Sequence, residues 1–98
     1  MDTLIAPVIS ALKENHASVD SDEVNRAFEV ARVAHQGQLR KSGEEYITHP
    51  VAVAEILAHL GLNPATVIAA LLHDTVEDTS YSLTQLRIDF GHEIANLV

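Results

Sequence analysis

The eight-residue apolar run from Ala65 to Leu72, opened by Asn63-Pro64 and closed by His73-Asp74, constrains this chain more than any other feature. Asparagine is a strong N-cap and proline suits the first helical position, so the run reads as a helix. A helix apolar on every side must be surrounded by other elements. Yet this one finishes in an imidazole and a carboxylate, with Glu77 and Asp78 one turn further on. Burying ionisable groups costs several kcal/mol unless they are paired or hold an ion, so the cluster calls for a partner.

The elements that surround the run are helical too. Leu4, Ile5, Val8, Ile9 and Leu12 fall at helical spacing between Asp2 and Asn15, with Pro7 tolerable in a first turn. Asp20 and Glu23 form a capping-box pair ahead of Val24, Ala27, Phe28, Ala31 and Ala34-His35, and Gly37 ends that helix. Residues 36–48 break the pattern and predict a loop of about a dozen residues, a length usually functional or disordered, with Tyr46 and Ile47 as anchors. Thr48-His49-Pro50 starts a helix whose apolar face takes in Val51, Val53, Ala54, Ile56, Leu57 and Leu60 and stops at Gly61. Ser82 and Gln85 are a second capping-box pair, opening a helix with Leu83, Leu86, Ile88 and Phe90 that ends at Gly91, and a last apolar turn runs to Val98. The expectation is all-α, five to six helices in a single partial domain spanning 1–98, with an N-terminal helix and linker in 1–19 and the chemistry in 20–98.

Composition narrows the function. There is no cysteine, so a metal site must draw on His, Asp, Glu and water, and a cytoplasmic location is expected. No apolar stretch approaches the roughly 20 residues of a membrane span, and Met1-Asp2-Thr3 lacks the basic start of a signal peptide. A net charge of −8 argues against general nucleic-acid binding. Arg40-Lys41 is the only adjacent basic pair.

His49 begins one helix and His73-Asp74 lie toward the end of the next, so a short antiparallel hairpin turning at residues 61–63 brings them together. Taken alone, His49 reads as a helix cap, and His73-Asp74 reads equally as an ion pair or a ligand pair. Their joint placement at opposed helix ends favours a divalent ion such as Mn²⁺, Fe²⁺ or Zn²⁺. Glu77 and Asp78 follow by one turn, where negative charge opposes the helix dipole, which suggests a compensating cation. Carboxylates so placed can position or deprotonate a water. Arg40 and Lys41, in the loop ahead of His49, can grip phosphate or stack on a base, although such a pair is often only solvated. His35 can cap carbonyls or sit near the site. His16, His59 and His92 read as surface residues.

The stretches Ala34-His35-Gln36-Gly37-Gln38-Leu39-Arg40-Lys41-Ser42-Gly43-Glu44, Tyr46-Ile47-Thr48-His49-Pro50, Ala69 to Thr79, and Phe90-Gly91 resemble the N-terminal hydrolase domain of the RelA/SpoT-homologue family. These are bifunctional synthetase/hydrolases of the alarmones ppGpp and pppGpp. The likeness covers roughly residues 20 to 98. It implies an HD-domain-like helical bundle that holds Mn²⁺, with His49, His73 and Asp74 as metal ligands. Glu77 and Asp78 resemble the acidic pair that activates water, and Arg40, Lys41 and Ser42 the loop that holds the nucleotide, the arginine against guanine. The implied reaction removes the 3′-pyrophosphate, giving GDP or GTP and pyrophosphate.

Two departures bear on this. Glu45 stands where the family usually has proline, which should loosen the loop. The family also completes its metal site with an aspartate from beyond this point, so the chain reads as a C-terminally truncated fragment with weak metal binding and little turnover. Two alternatives stay open: an HD phosphohydrolase for another nucleotide, and a non-catalytic helical module that self-associates through its apolar end from Ile94 to Val98.

Overall fold

A computed structural model describes residues 3–98 as six helices joined by short connections. They are α1 (Ala6–Asn15), α2 (Ser21–Ala34), α3 (Thr48–His59), α4 (Pro64–Asp78), α5 (Leu83–Phe90) and α6 (His92–Leu97). Helix α4 is the centre and packs against α2, α3 and α6, while α1 lies on α3 and α5 on α6. Val67, Ile68, Leu71 and Leu72 of α4 are fully buried, with Phe28, Leu12 and Leu86 among their fellow core residues. None of the described helices is long and apolar enough to cross a membrane.

The caps explain most of the boundaries. Asp20 accepts from the backbone N–H groups of Asp22 and Glu23, Asn63 Oδ1 accepts from Thr66, and Ser82 Oγ accepts from Gln85. Both capping-box pairs are made only on the side of the cap residue, and Gln85 Nε2 donates forward to Asp89 Oδ1 at 3.0 Å. Helix α1 starts at Ala6 rather than at Asp2, which lies outside the described residues. Helix α3 ends in a Schellman turn: Gly61 N–H donates to Ala58 O and Leu62 N–H to Leu57 O, with Gly61 at φ +86°. His16, taken from the sequence as a surface residue, is half-buried, and its Nε2 lies 3.4 and 3.2 Å from the carbonyl oxygens of Gly61 and Leu62. Nothing lies within 4 Å of a Cβ added at Gly61, so the cost of Gly61→Ala is conformational. The substitution is expected to lower stability by about 1–2 kcal/mol in urea unfolding; an unchanged midpoint would show that the turn relaxes freely.

Several expectations need correction. The apolar run does not end its helix at His73-Asp74, because α4 continues to Asp78, with Thr75 buried as its next inward residue. The broad apolar face expected of α3 is narrower, since Val51, Ala54 and Ala58 are buried while Ile56 and Leu60 are 60% and 72% exposed. Leu83 and Ile88 of α5 also face outward. The expected loop over residues 36–48 is a tight hairpin with an antiparallel bridge between Leu39 and Glu45, held by Arg40 N–H to Glu44 O and Tyr46 N–H to Gln38 O. Neither bond uses the Glu45 N–H. The apolar end is largely covered within the chain, for Ile94 and Ala95 are buried and Leu97 is the exposed residue.

The α4–α5 connection is tied down by one polar group. Tyr81 O–H donates to Asp89 Oδ2 at 2.6 Å, and Arg26 donates to the Asp89 carbonyl at 2.8 Å while lying over the Phe90 ring. Hydrogen bonds from Tyr81 and then Gln85 hold the Asp89 carboxyl below its usual range, with Arg26 assisting against burial. Burial, followed by the Asp89 bond and charge, pushes the Tyr81 phenol well up. The depressed Asp89 contributes stability above the unfolded carboxylate value of about 3.9, lost as pH falls through its lower folded value. The raised Tyr81 contributes below the unfolded value of about 10, lost as pH rises through its higher folded value. Urea midpoints measured across pH should therefore fall on both sides of a plateau, with Tyr81→Phe lowering the plateau and flattening both limbs. Parallel profiles for the two proteins would refute this.

Candidate metal and nucleotide site

The α3–α4 hairpin brings the start of α3 beside the last turns of α4. His49 Nε2 lies 3.8 Å from Asp74 Oδ2, His73 Nδ1 lies 3.3 Å from Asp74 Oδ1, and His73 Nε2 lies 3.7 Å from Glu77 Oε1. Ligand atoms of His73, Asp74 and Glu77 all fall within 4.8 Å of one another. The expected trio was His49, His73 and Asp74. The structure brings all three together through Asp74, but the mutually close set exchanges His49 for Glu77. Asp74 is the inward member, its side chain 23% exposed against 53% for His73 and 64% for Glu77.

The imidazole of His73 is bracketed by two carboxylates. A neutral imidazole has one N–H, which can satisfy one of them, and its other nitrogen then turns a lone pair toward the second. A cation at that lone pair would satisfy it together with the carboxylate it faces. It would also offset the negative charge at the end of α4, whose last turn holds no basic residue. Donor atoms sharing an ion at about 2.1 Å sit roughly 3.0–3.4 Å apart, so the set found here, with one atom from each residue within 4.8 Å, would have to draw in around an ion. Nitrogen and oxygen donors without sulfur fit a borderline divalent ion.

Tyr46, expected only as an anchor, donates its O–H to Asp74 Oδ2 at 3.0 Å. Burial, then the bond to Asp74 and the charges of Asp74 and Asp78, push its phenol up, while Arg40 pulls the other way. Asp78 and Arg40 therefore both act on this spot. Arg40 also leans on the start of α3, with Nη1 3.4 Å from Thr48 Oγ1. Lys41 is exposed, and the Ser42 hydroxyl donates to Glu44 within the hairpin at 3.3 Å.

Behind Tyr46 lies a buried pair, of which the sequence singled out His35 but not Thr75. His35 is 2% exposed and Thr75 fully buried, with His35 Nε2 3.3 Å from Thr75 Oγ1 and Nδ1 3.2 Å from Gln38 Oε1. The signal was present in the spacing. His35 falls one turn after Ala31 on the inward stripe of α2, and Thr75 one turn after Leu71 on that of α4. Two polar groups continuing two buried stripes call for each other.

The family is decided by comparison over the segment that carries these residues. A family model described as an HD domain matches residues 27–98. This chain belongs to the HD-domain family. A probable GTP pyrophosphokinase of Mycobacterium leprae is 52% identical over 95 residues, covering 97% of this chain and 12% of that protein. The bifunctional (p)ppGpp synthase/hydrolase RelA of Mycobacterium tuberculosis is 51% identical over 78 residues, covering 80% of this chain and 11% of that protein. A guanosine-3′,5′-bis(diphosphate) 3′-pyrophosphohydrolase of Haemophilus influenzae is 58% identical over 69 residues, covering 70% of this chain and 10% of that protein. The resemblance to RelA/SpoT proteins is thus borne out, and the HD-domain chain spans about an eighth of the first of these curated relatives.

Proposed function

We propose that this HD domain serves hydrolysis of the 3′-pyrophosphate of ppGpp and pppGpp, giving GDP or GTP and pyrophosphate, with Mn²⁺ as the metal. The observation that carries the reading is His73 held between Asp74 and Glu77, in a chain related to proteins named for (p)ppGpp hydrolysis. His73 and Asp74 would hold the ion, together with His49 from α3. When bound, the ion supplies positive charge that stabilises a phosphoryl group under attack and makes water more acidic.

The chain's own residues do the rest. Glu77 and Asp78 orient a water and take its proton as its oxygen bonds to the phosphorus next to the ribose 3′ oxygen. The phosphorus–O3′ bond breaks, O3′ takes up a proton, and pyrophosphate departs. Arg40 stacks on the guanine, while Lys41 and Ser42 contact phosphate. The cysteine-free composition and a nucleotide substrate fit a cytoplasmic location.

The site lies open on the described surface. A groove of about 650 Å³ lined by Val30, Val33, Tyr81 and Gln85 holds none of the site residues. The 98-residue chain alone is therefore expected to turn over weakly. The test measures pyrophosphate release from ppGpp by a longer protein carrying this segment, with Mn²⁺ and after chelation, against other nucleotides. Equal rates on unrelated nucleotides would favour the broader phosphohydrolase reading, and no metal-dependent release would overturn the proposal.

A further inference from the structure

We propose that Tyr46 is the positioning residue of the metal site: its O–H fixes the Asp74 carboxylate, and the buried His35 fixes the Tyr46 ring. The inference rests on the metal reading above and concerns how its inward carboxylate is held. A carboxylate torsion is broad and two-fold, so Asp74 needs an external constraint to present one oxygen consistently. Tyr46 O–H engages Oδ2 at 3.0 Å and leaves Oδ1 as the oxygen beside His73.

The tyrosine is itself held from two directions. Its backbone N–H donates to Gln38 O at 3.0 Å. Its ring lies 4.6 Å from the His35 ring, centre to centre, and meets His49 edge-on at 5.9 Å. His35 cannot turn cheaply, because it is buried and both ring nitrogens have partners in Gln38 Oε1 and Thr75 Oγ1. One neutral tautomer matches that pair, with Nδ1–H donating to Gln38 and Nε2 accepting from the Thr75 hydroxyl. Gln38 thus serves both layers, with its side chain on His35 and its carbonyl on Tyr46. A chain of contacts runs from the core to the metal-facing carboxylate.

The test is Mn²⁺ titration by calorimetry of a longer protein carrying this segment, unsubstituted and as Tyr46→Phe, Thr75→Val and His73→Ala, with circular dichroism to confirm that each folds. Tyr46→Phe keeps the ring against His35 and removes only the hydroxyl. A merely structural tyrosine would therefore leave the metal affinity of the folded protein unmoved. The expected result is a loss of about 10–100-fold in affinity, the usual effect of removing a partner of a metal ligand. Thr75→Val is expected to give a smaller loss in the same direction. Wild-type affinity in Tyr46→Phe would overturn the role of the hydroxyl, and wild-type affinity in Thr75→Val would overturn the role of His35. If the unsubstituted longer protein binds no Mn²⁺, or His73→Ala binds it equally well, the metal reading fails, and this inference with it.

Discussion

Replacing His73 by alanine is expected to lower Mn²⁺-dependent pyrophosphate release from ppGpp by about 100-fold or more, measured in a longer protein that carries this segment. Removing a group that merely supports a metal ligand costs about 10–100-fold, so removing the proposed ligand itself would set the loss at the upper end or beyond. The fold should survive, because the His73 side chain is half exposed and its neighbours Leu71 and Leu72 keep their burial. The same substitution has a thermodynamic signature. An ion at a hundredfold excess over its dissociation constant stabilises the folded state by about 2.7 kcal/mol, so Mn²⁺ should raise the melting temperature of the unsubstituted chain and not of the variant. Full hydrolysis by His73→Ala, or an equal rise in melting temperature, would remove His73 from the site.

Much of that site was legible because its members sit at helix ends that the sequence marks. Pro50 dates the start of α3 and Asn63-Pro64 the start of α4, and the turn between them is short. His49 and Asp74 had to meet. That Glu77 lies beside His73 was legible from its i,i+4 spacing, whereas the absence of His49 from the mutually close set was not, since it depends on how α3 sits against α4. Nor was the bond from Tyr46 to Asp74. It joins residues far apart in sequence through a hairpin whose backbone bonds, from Arg40 to Glu44 and from Tyr46 to Gln38, leave no trace in side-chain pattern.

Phe28→Ala is expected to cost about 3–5 kcal/mol, through lost apolar burial and the cavity left behind. Phe28 is 1% exposed on the face of α2 turned inward, and α2 is one of the helices packed on α4. A domain of this size has roughly 5–15 kcal/mol in total, so the variant should show a large fall in its urea midpoint. A loss under about 1 kcal/mol would mean that the surrounding side chains collapse into the space. The inward stripe of α2, with Val24, Ala27, Phe28 and Ala31, was read correctly because every member is apolar at helical spacing. The apolar faces of α3 and α5 were read too widely. Ile56, Leu60 and Ile88 have the right chemistry but lie off the buried arc, and apolar character alone does not say which way a residue faces.

Helix α4 carries its chemistry and its core on interleaved positions: Leu71, Leu72 and Thr75 turn inward, while His73, Asp74 and Glu77 surround them. This interleaving makes the site intolerant of length change. Inserting or deleting one residue between Ala69 and Leu72 would rotate everything beyond it by about 100°. Leucines would then turn to water and carboxylates into the core. Substitution can alter these groups one at a time, but the spacing between Asn63 and Asp78 is open to change only by whole rearrangement. The reading frame of the helix, as much as the identity of its residues, is what such a site inherits.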